Sequence, residues 1–389
     1  MRSQKAGWIE TIQKILTRDF VFASISQFTF SIAFHILYPT LPIYLSRLKN
    51  TEADIGILIG VMGVSSLICR PFVGRALSKT PEKRFMIIGV LFFVFASAAY
   101  LIALPFWPFL VVRVIHGIGL AFFYTASFTF ISNTSPETQR GQALSYFLLS
   151  INISLALAPL LGMFIINHFS FPILFLFCLG LSLCSLFVTS KLGKRQGVPL
   201  EDSPTEEGFL LSRKALPSSV SSFFFHLTWG ALTAFFPLYA IHHGVANPGF
   251  FFTAVAIMLI LGRGLGGKIL DLYSRERVIL PCLIACIVSM AILAFSKSLP
   301  MFILVAAIWG IGHAFLFPSL LVYAMDRMGS SRGPAMGTFT GFSDLGMSMG
   351  PMIMGIVIHL TNYPTMFLCL TLAGMINLNY FYFFVRKKG

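Results

Sequence analysis

Of the fourteen acidic residues in this 389-residue chain, Asp344 alone lies deep inside a long apolar run. A carboxylate taken out of water costs several kcal/mol unless it faces a cavity, finds a partner or is protonated. A group that can exist both charged and neutral at such a place is suited to carrying a proton, and bracing a neighbouring helix is the structural alternative. Arg113 sits about five residues inside another run, with His116 one turn further along the same face. Arginine does not release its proton, so it would act as a fixed charge that holds a carboxylate or orients water, unless it only snorkels to an interface. Gln27, Ser31, His35 and Tyr38 form one stripe by helical spacing, His226 and Trp229 share a second face, and His313 and Phe317 a third. Histidine titrates near neutrality, which fits proton transfer, and for each single histidine the reading as a satisfied structural residue stays open.

These residues are carried by elements that lipid must solvate. The chain is 56% hydrophobic and 11% charged, with a mean hydropathy of +0.83, where a soluble domain carries about 25% charged residues. Crossing ~30 Å of hydrocarbon takes about 20 helical residues. Runs of that size fall at roughly 20–45, 55–74, 85–104, 108–131, 142–166 and 171–189, and again at 216–240, 249–270, 278–296, 300–323, 335–359 and 363–385. Twelve spans place 22 of the 28 Lys and Arg on the side of the termini and three on the other, with Arg70, Arg113 and Arg263 in or at the ends of spans. Lysine and arginine resist translocation, so both termini are expected in the cytoplasm. The formal charge of +14 is thereby topological, and nucleic acid is not an expected partner. The six cysteines all lie in apolar runs, which speaks against a disulfide framework. No cleavage site follows the first run, so it is expected to serve as its own insertion signal.

The chain also repeats itself. Shifted by 193 residues, Arg70 to Leu77 falls on Arg263 to Leu270, Arg84 on Arg277, and His116 to Thr125 on Trp309 to Pro318. Small indels bring Pro159 onto Pro351 at 192. At that offset the partner of Asp344 is Asn152, its neutral isostere. The expected domains are an N-terminal six-helix half (1–189), a polar linker (190–214) and a C-terminal six-helix half (215–389). Dense glycines in the eleventh span, at 337, 341, 346, 350 and 355, read as close helix packing.

Two parallel six-helix halves resemble the major facilitator superfamily, and four motifs carry that resemblance. Gly74–Arg75–Ala–Leu–Ser–Lys–Thr–Pro–Glu–Lys–Arg84 is similar to its G-x-L-x-D-R-x-G-R-[RK] signature, with Ser78 in place of the acid; the counterpart from Gly267 and Lys268 to Arg277 keeps it as Asp271. Arg113–Val–Ile–His116–Gly–Ile–Gly resembles the R-x-x-[QH]-G-x-G of twelve-span drug:proton antiporters. Ala158–Pro159–Leu–Leu–Gly162 and Gly350–Pro351–Met–Ile–Met–Gly355 are similar to their G-P-x-x-G-G. The resemblance implies that spans 1, 4, 7 and 10 line a central pathway, so that their histidines together with Trp229, Trp309, Tyr124 and Phe317 outline a largely apolar, aromatic cavity with few charges. It also implies that Gly74, Arg75, Arg84, Gly267, Lys268, Asp271 and Arg277 form gating latches, the second carrying more of the gating. The first span has no acid at depth, so any proton site lies elsewhere.

The expected protein is an all-α, twelve-span transporter of the cell membrane. It is read as a proton-coupled exporter of small amphipathic organic molecules, working by alternating access, without a cofactor and as a monomer. Uptake by proton symport, or uniport, is the alternative within transport. A multispan enzyme or receptor is disfavoured by the six-plus-six repeat and by the lack of an HxxxxD or HExxH.

Overall fold

Apolar runs in lipid must satisfy their backbone polar groups internally, so they form helices. The computed structural model describes residues 15–77, 79–103, 106–136, 139–193, 213–326 and 332–386, with the side chains of 141, 263–272, 325–326 and 332–335 left aside. Most of the expected linker, Ser78, and the side chains of Gly267, Lys268 and Asp271 therefore lie outside the described residues.

Span 1 runs Arg18–His35 and, after a break at Ile36, continues as Leu37–Arg47. Pro39 and Pro42 lack the N–H groups that would bond His35 and Tyr38 carbonyls, which explains the break. Spans 2 to 6 are Glu52–Leu77, Glu82–Ala99, Trp107–Thr134, Arg140–His168 and Phe171–Ser190. Spans 7 to 12 are Leu216–His242, Gly249–Leu272, Arg275–Phe295, Leu299–Asp326, Arg332–Leu360 and Tyr363–Tyr380, the last ending in a π-helical turn at Phe381–Val385. Among the described residues, ten spans are long and apolar enough to cross a membrane. Span 3 misses that mark because it opens on Glu82, Lys83 and Arg84, and span 8 because its described side chains stop at Gly262.

Each half is a six-helix bundle packed through small residues. In the N-terminal half Ser26 of span 1 bonds Ser185 and Thr189 of span 6, at 3.0 and 2.6 Å. Phe30 stacks on Phe123 with centroids 4.0 Å apart. In the C-terminal half Gly346 and Gly350 of span 11 lie against the Phe223 and Leu227 carbonyls of span 7, where no side chain would fit.

The halves meet at the end away from the termini. Gly56 of span 2 lies on the Pro351 carbonyl, and Gly249 of span 8 lies on the Pro159 carbonyl. These four residues are duplicate positions, so the contact is reciprocal. Beside it Thr253 Oγ1 donates to the Ala156 carbonyl at 2.6 Å, and Asn167 Nδ2 to the Ala246 carbonyl at 3.2 Å. Toward the termini span 2 follows span 11 as far as Gly63, where a side chain would strike Ser348 Oγ. Leu67 still reaches Gly341, and beyond that the helices part, with Gly74 and Gly337 facing open space. A cleft thus opens between the halves at the end that carries the termini.

Candidate functional site

At the point where spans 2 and 11 separate, Arg70 reaches Asp344, with Nη1 2.8 Å from Oδ2. Among the described residues this is the ion pair that joins the two halves. The side chains keep 29% and 23% exposure, so the pair borders the cleft. It is a charge contact without hydrogen-bond alignment, since neither Arg70 Nε nor Asp344 Oδ2 makes a hydrogen bond. A proton on Asp344 and the guanidinium of Arg70 are alternative partners for one carboxylate. Sequence reasoning missed Arg70 in this role, although its duplication at Arg263 was a signal that the position is special.

Arg113 is 3% exposed and points into the seam between spans 2 and 4. Its Nε donates to the Leu58 carbonyl at 2.8 Å and its Nη2 to the Ile59 carbonyl at 3.0 Å. Nη1 lies 3.4 Å from both the Tyr100 hydroxyl and His116 Nδ1. Tyr100 and His116 are themselves 2.8 Å apart. The guanidinium can only donate, so Nδ1 accepts and the ring proton sits on Nε2, a buried atom with no partner. Arg113 therefore holds helical carbonyls and not a carboxylate, and its guanidinium does not snorkel outward. Tyr100 at the end of span 3 was not singled out in the sequence, because an aromatic residue at a span end reads as an interface anchor.

Arg113 borders a cavity of about 50 Å³ to which both halves contribute, with Phe34, Tyr38, Met62 and Gly63 on one side and Thr233, Met347 and Pro351 on the other. Tyr38 packs edge-on against His35 and faces Phe252 across the seam, at centroid distances of 5.1 and 6.1 Å. His35 itself is buried, with Nδ1 2.6 Å from Ser154 Oγ of span 5. Gln27 is also buried, bonded to Ser31 at 2.8 Å and to Ser127 at 3.0 Å, while Ser31 meets Tyr124 at 3.2 Å. In this state Gln27 and His35 tie span 1 to spans 4 and 5. Asn152 is buried in span 5.

The C-terminal half answers with rings. Trp309 stacks between Phe225 and Trp229, at 5.4 and 6.2 Å. His313 meets Trp229 edge-on at 5.4 Å, and His226 meets Phe317 at 5.4 Å. His226 Nδ1 also pairs with the Ser222 carbonyl at 2.9 Å. Trp309 is a correction to the expected cavity lining. It is fully buried, beside a small void between spans 7, 9, 10 and 12, because its position on span 10 turns it into the bundle and away from the cleft.

At the open end Arg75, Arg84 and Arg277 are exposed, and Gly74 has free space around it. The first-turn acids of spans 3 and 9, also missed in the sequence, tie helix ends together. Glu82 is buried and accepts from Asn133 at 2.6 Å, and Glu276 pairs with Arg386 at 3.1 Å.

Comparison with known proteins agrees with this architecture. The sequence profile of the Major Facilitator Superfamily matches residues 23–351, and again 218–389. The chain is 24% identical to the staphylopine export protein of Staphylococcus aureus (strain Mu50 / ATCC 700699) over 362 residues, 88% of this chain and 89% of that one. It is also 24% identical to the quinolone resistance protein NorA of Staphylococcus aureus, covering 88% and 90%, and to multidrug resistance protein 2 of Bacillus subtilis (strain 168), covering 85% and 87%. Among solved structures, the nucleoside transporter NupG superposes with a TM-score of 0.75 at 16% identity, over 94% of this chain and 98% of its own. A bacterial homolog of the human lysosomal transporter Spinster, in an inward-facing and unoccupied conformation, gives 0.77 at 13%, over 93% and 95%. Fold, duplicated motifs and sequence match coincide: the chain belongs to the major facilitator superfamily, a multi-pass membrane transporter of small molecules and not an enzyme.

Proposed function

We propose that the protein exports small amphipathic organic molecules across the cell membrane by alternating access, driven by protons that bind and leave Asp344. Export is supported by relatives whose names are an exporter and two drug-resistance proteins. With both termini in the cytoplasm, as the distribution of Lys and Arg implies, the open cleft faces inward and the Pro–Gly contacts close the outside. The protein works as a monomer in this reading.

The observation that carries the proposal is the Arg70–Asp344 pair, 2.8 Å across the two halves. A proton arriving at Asp344 removes the charge that holds Arg70 and unties span 2 from span 11. Its release re-forms the pair in the inward-open state, where substrate is loaded. Binding of a ligand or a proton can shift such an equilibrium only by its differential affinity for the two states. An ion pair made in one state supplies that difference.

The test is export of a quinolone from reconstituted vesicles under an imposed pH gradient. Asp344→Asn keeps the shape of the protonated acid but cannot release a proton. It should retain exchange of substrate for substrate and lose uphill accumulation at least tenfold, whereas Asp344→Glu should keep partial activity. Undiminished accumulation by Asp344→Asn would move the proton to His116, His226 or His313. Net flux that runs inward with the proton would establish uptake by symport instead.

A further inference from the structure

We infer that the transported molecules carry an anionic group, a carboxylate or its equivalent, and that Arg113 receives it. The inference rests on the cleft being the transport pathway, and it names the substrate class. The sequence places Arg70, Arg113 and Arg263 within the spans and Asp344 as the one acid at depth. Asp344 is already held by Arg70, so among the described residues the pathway has no uncommitted carboxylate for a cation and a surplus of positive charge.

Arg113 holds that surplus where it is most costly. At 3% exposure a guanidinium is normally paired with an acid, and among the described residues no carboxylate touches this one. Its partners are two carbonyl groups, a phenol and an imidazole. The carbonyls of Leu58 and Ile59 belong to span 2 and also serve that helix, so they supply dipoles without neutralising the charge. Nη1 is the loosely held nitrogen, with both contacts at 3.4 Å. Beside it His116 Nε2 is a second buried donor lacking an acceptor. Donors in excess, with no acid among them, are the complement of an anion.

The space beside Arg113 fits the same ligand. The cavity of about 50 Å³ that Arg113 borders is lined by Tyr38 and Thr233 as well as by apolar Phe34, Met62 and Met347. It holds a few water-sized groups, enough for a carboxylate head, and both halves supply its walls. A ligand head there touches both moving parts, as an alternating-access site must.

The experiment uses the full-length protein in nanodiscs and three tritiated probes of one size: 1-naphthylacetate, its amide 1-naphthylacetamide, and the ammonium 1-(2-aminoethyl)naphthalene. Equilibrium binding should rank the carboxylate at least tenfold tighter than the amide, with the ammonium weakest. Arg113→Gln should bring carboxylate and amide within twofold of each other while leaving the amide's own affinity within twofold of its starting value. Arg113→Lys, which keeps the charge but not the planar fork, should lose at least threefold for the carboxylate alone. Equal or better binding of the ammonium overturns the inference, as does a carboxylate preference that survives Arg113→Gln. Should that variant fail to fold, the ranking by the unmodified protein still decides. Proton-driven export is read in a separate assay, so its failure and the failure of this inference are distinguishable.

Discussion

Spans 4 and 10 occupy duplicate positions, pack alike, and carry opposite chemistry. Gly117 lies against the Met62 carbonyl and Gly310 against the Val255 carbonyl, 193 residues on in each case. Gly119 meets the Gly89 carbonyl, and Gly312 the Cys282 carbonyl, at the same offset. The backbone contacts of the two halves are thus copies. One turn away the copies end: Arg113, His116 and Tyr100 in the N-terminal half correspond to Ala306, Trp309 and Leu293 in the C-terminal half. One side buries a hydrogen-bonded cation, the other a stack of rings. The asymmetry recurs across the cleft, where Asp344 corresponds to Asn152. Duplication has kept the glycines that let helices approach, and has placed the charges of Arg70 and Asp344, inside the spans, so that they meet between halves.

The comparison breaks most visibly at the ring stack. Trp309→Ala should cost about 3–5 kcal/mol of stability through lost packing, read as a large fall in the thermal midpoint of the purified protein. Export per folded molecule should stay within about threefold, because Trp309 is a core residue; a loss of export without loss of stability would return it to the pathway. A smaller effect is expected on the polar side. Tyr100→Phe removes the hydroxyl between Arg113 and His116 and should cost about 1 kcal/mol, with a shift in export that Trp309 variants do not show. Trp309→Phe lies near the same size: its indole Nε1 is buried without an acceptor, so losing that N–H costs little, but the missing ring atoms leave a gap in a packed core and should cost about 1–2 kcal/mol, and a drop like that of the alanine variant would reveal an acceptor.

Much of the fold was legible because lipid leaves so few solutions: apolar runs of about 20 residues can only be helices. The reciprocal Pro–Gly contacts were half legible. Pro159 and Pro351 stood out as motif residues, but nothing local says that Gly249 and Gly56 of the opposite half receive them. The candidate site was legible one residue at a time. Asp344 was conspicuous as an acid in an apolar run, and Arg113 as a cation. Glu82 was hidden among the charges of a short gap, and its burial against Asn133 follows from how span 3 meets the end of span 4.

By itself the sequence determined the spans, their duplication, the expected sidedness and the family resemblance, since each depends on composition and spacing along one segment. Partnership was decided only by the tertiary structure. That Asp344 meets Arg70, that Arg113 meets carbonyls and no acid, and that Trp309 turns into a bundle all depend on the rotation and approach of helices distant in the chain. The physical reason is that a buried charge is stabilised by whatever lies within about 4 Å of it. A helical register fixes which face a residue occupies, and only packing fixes what that face touches.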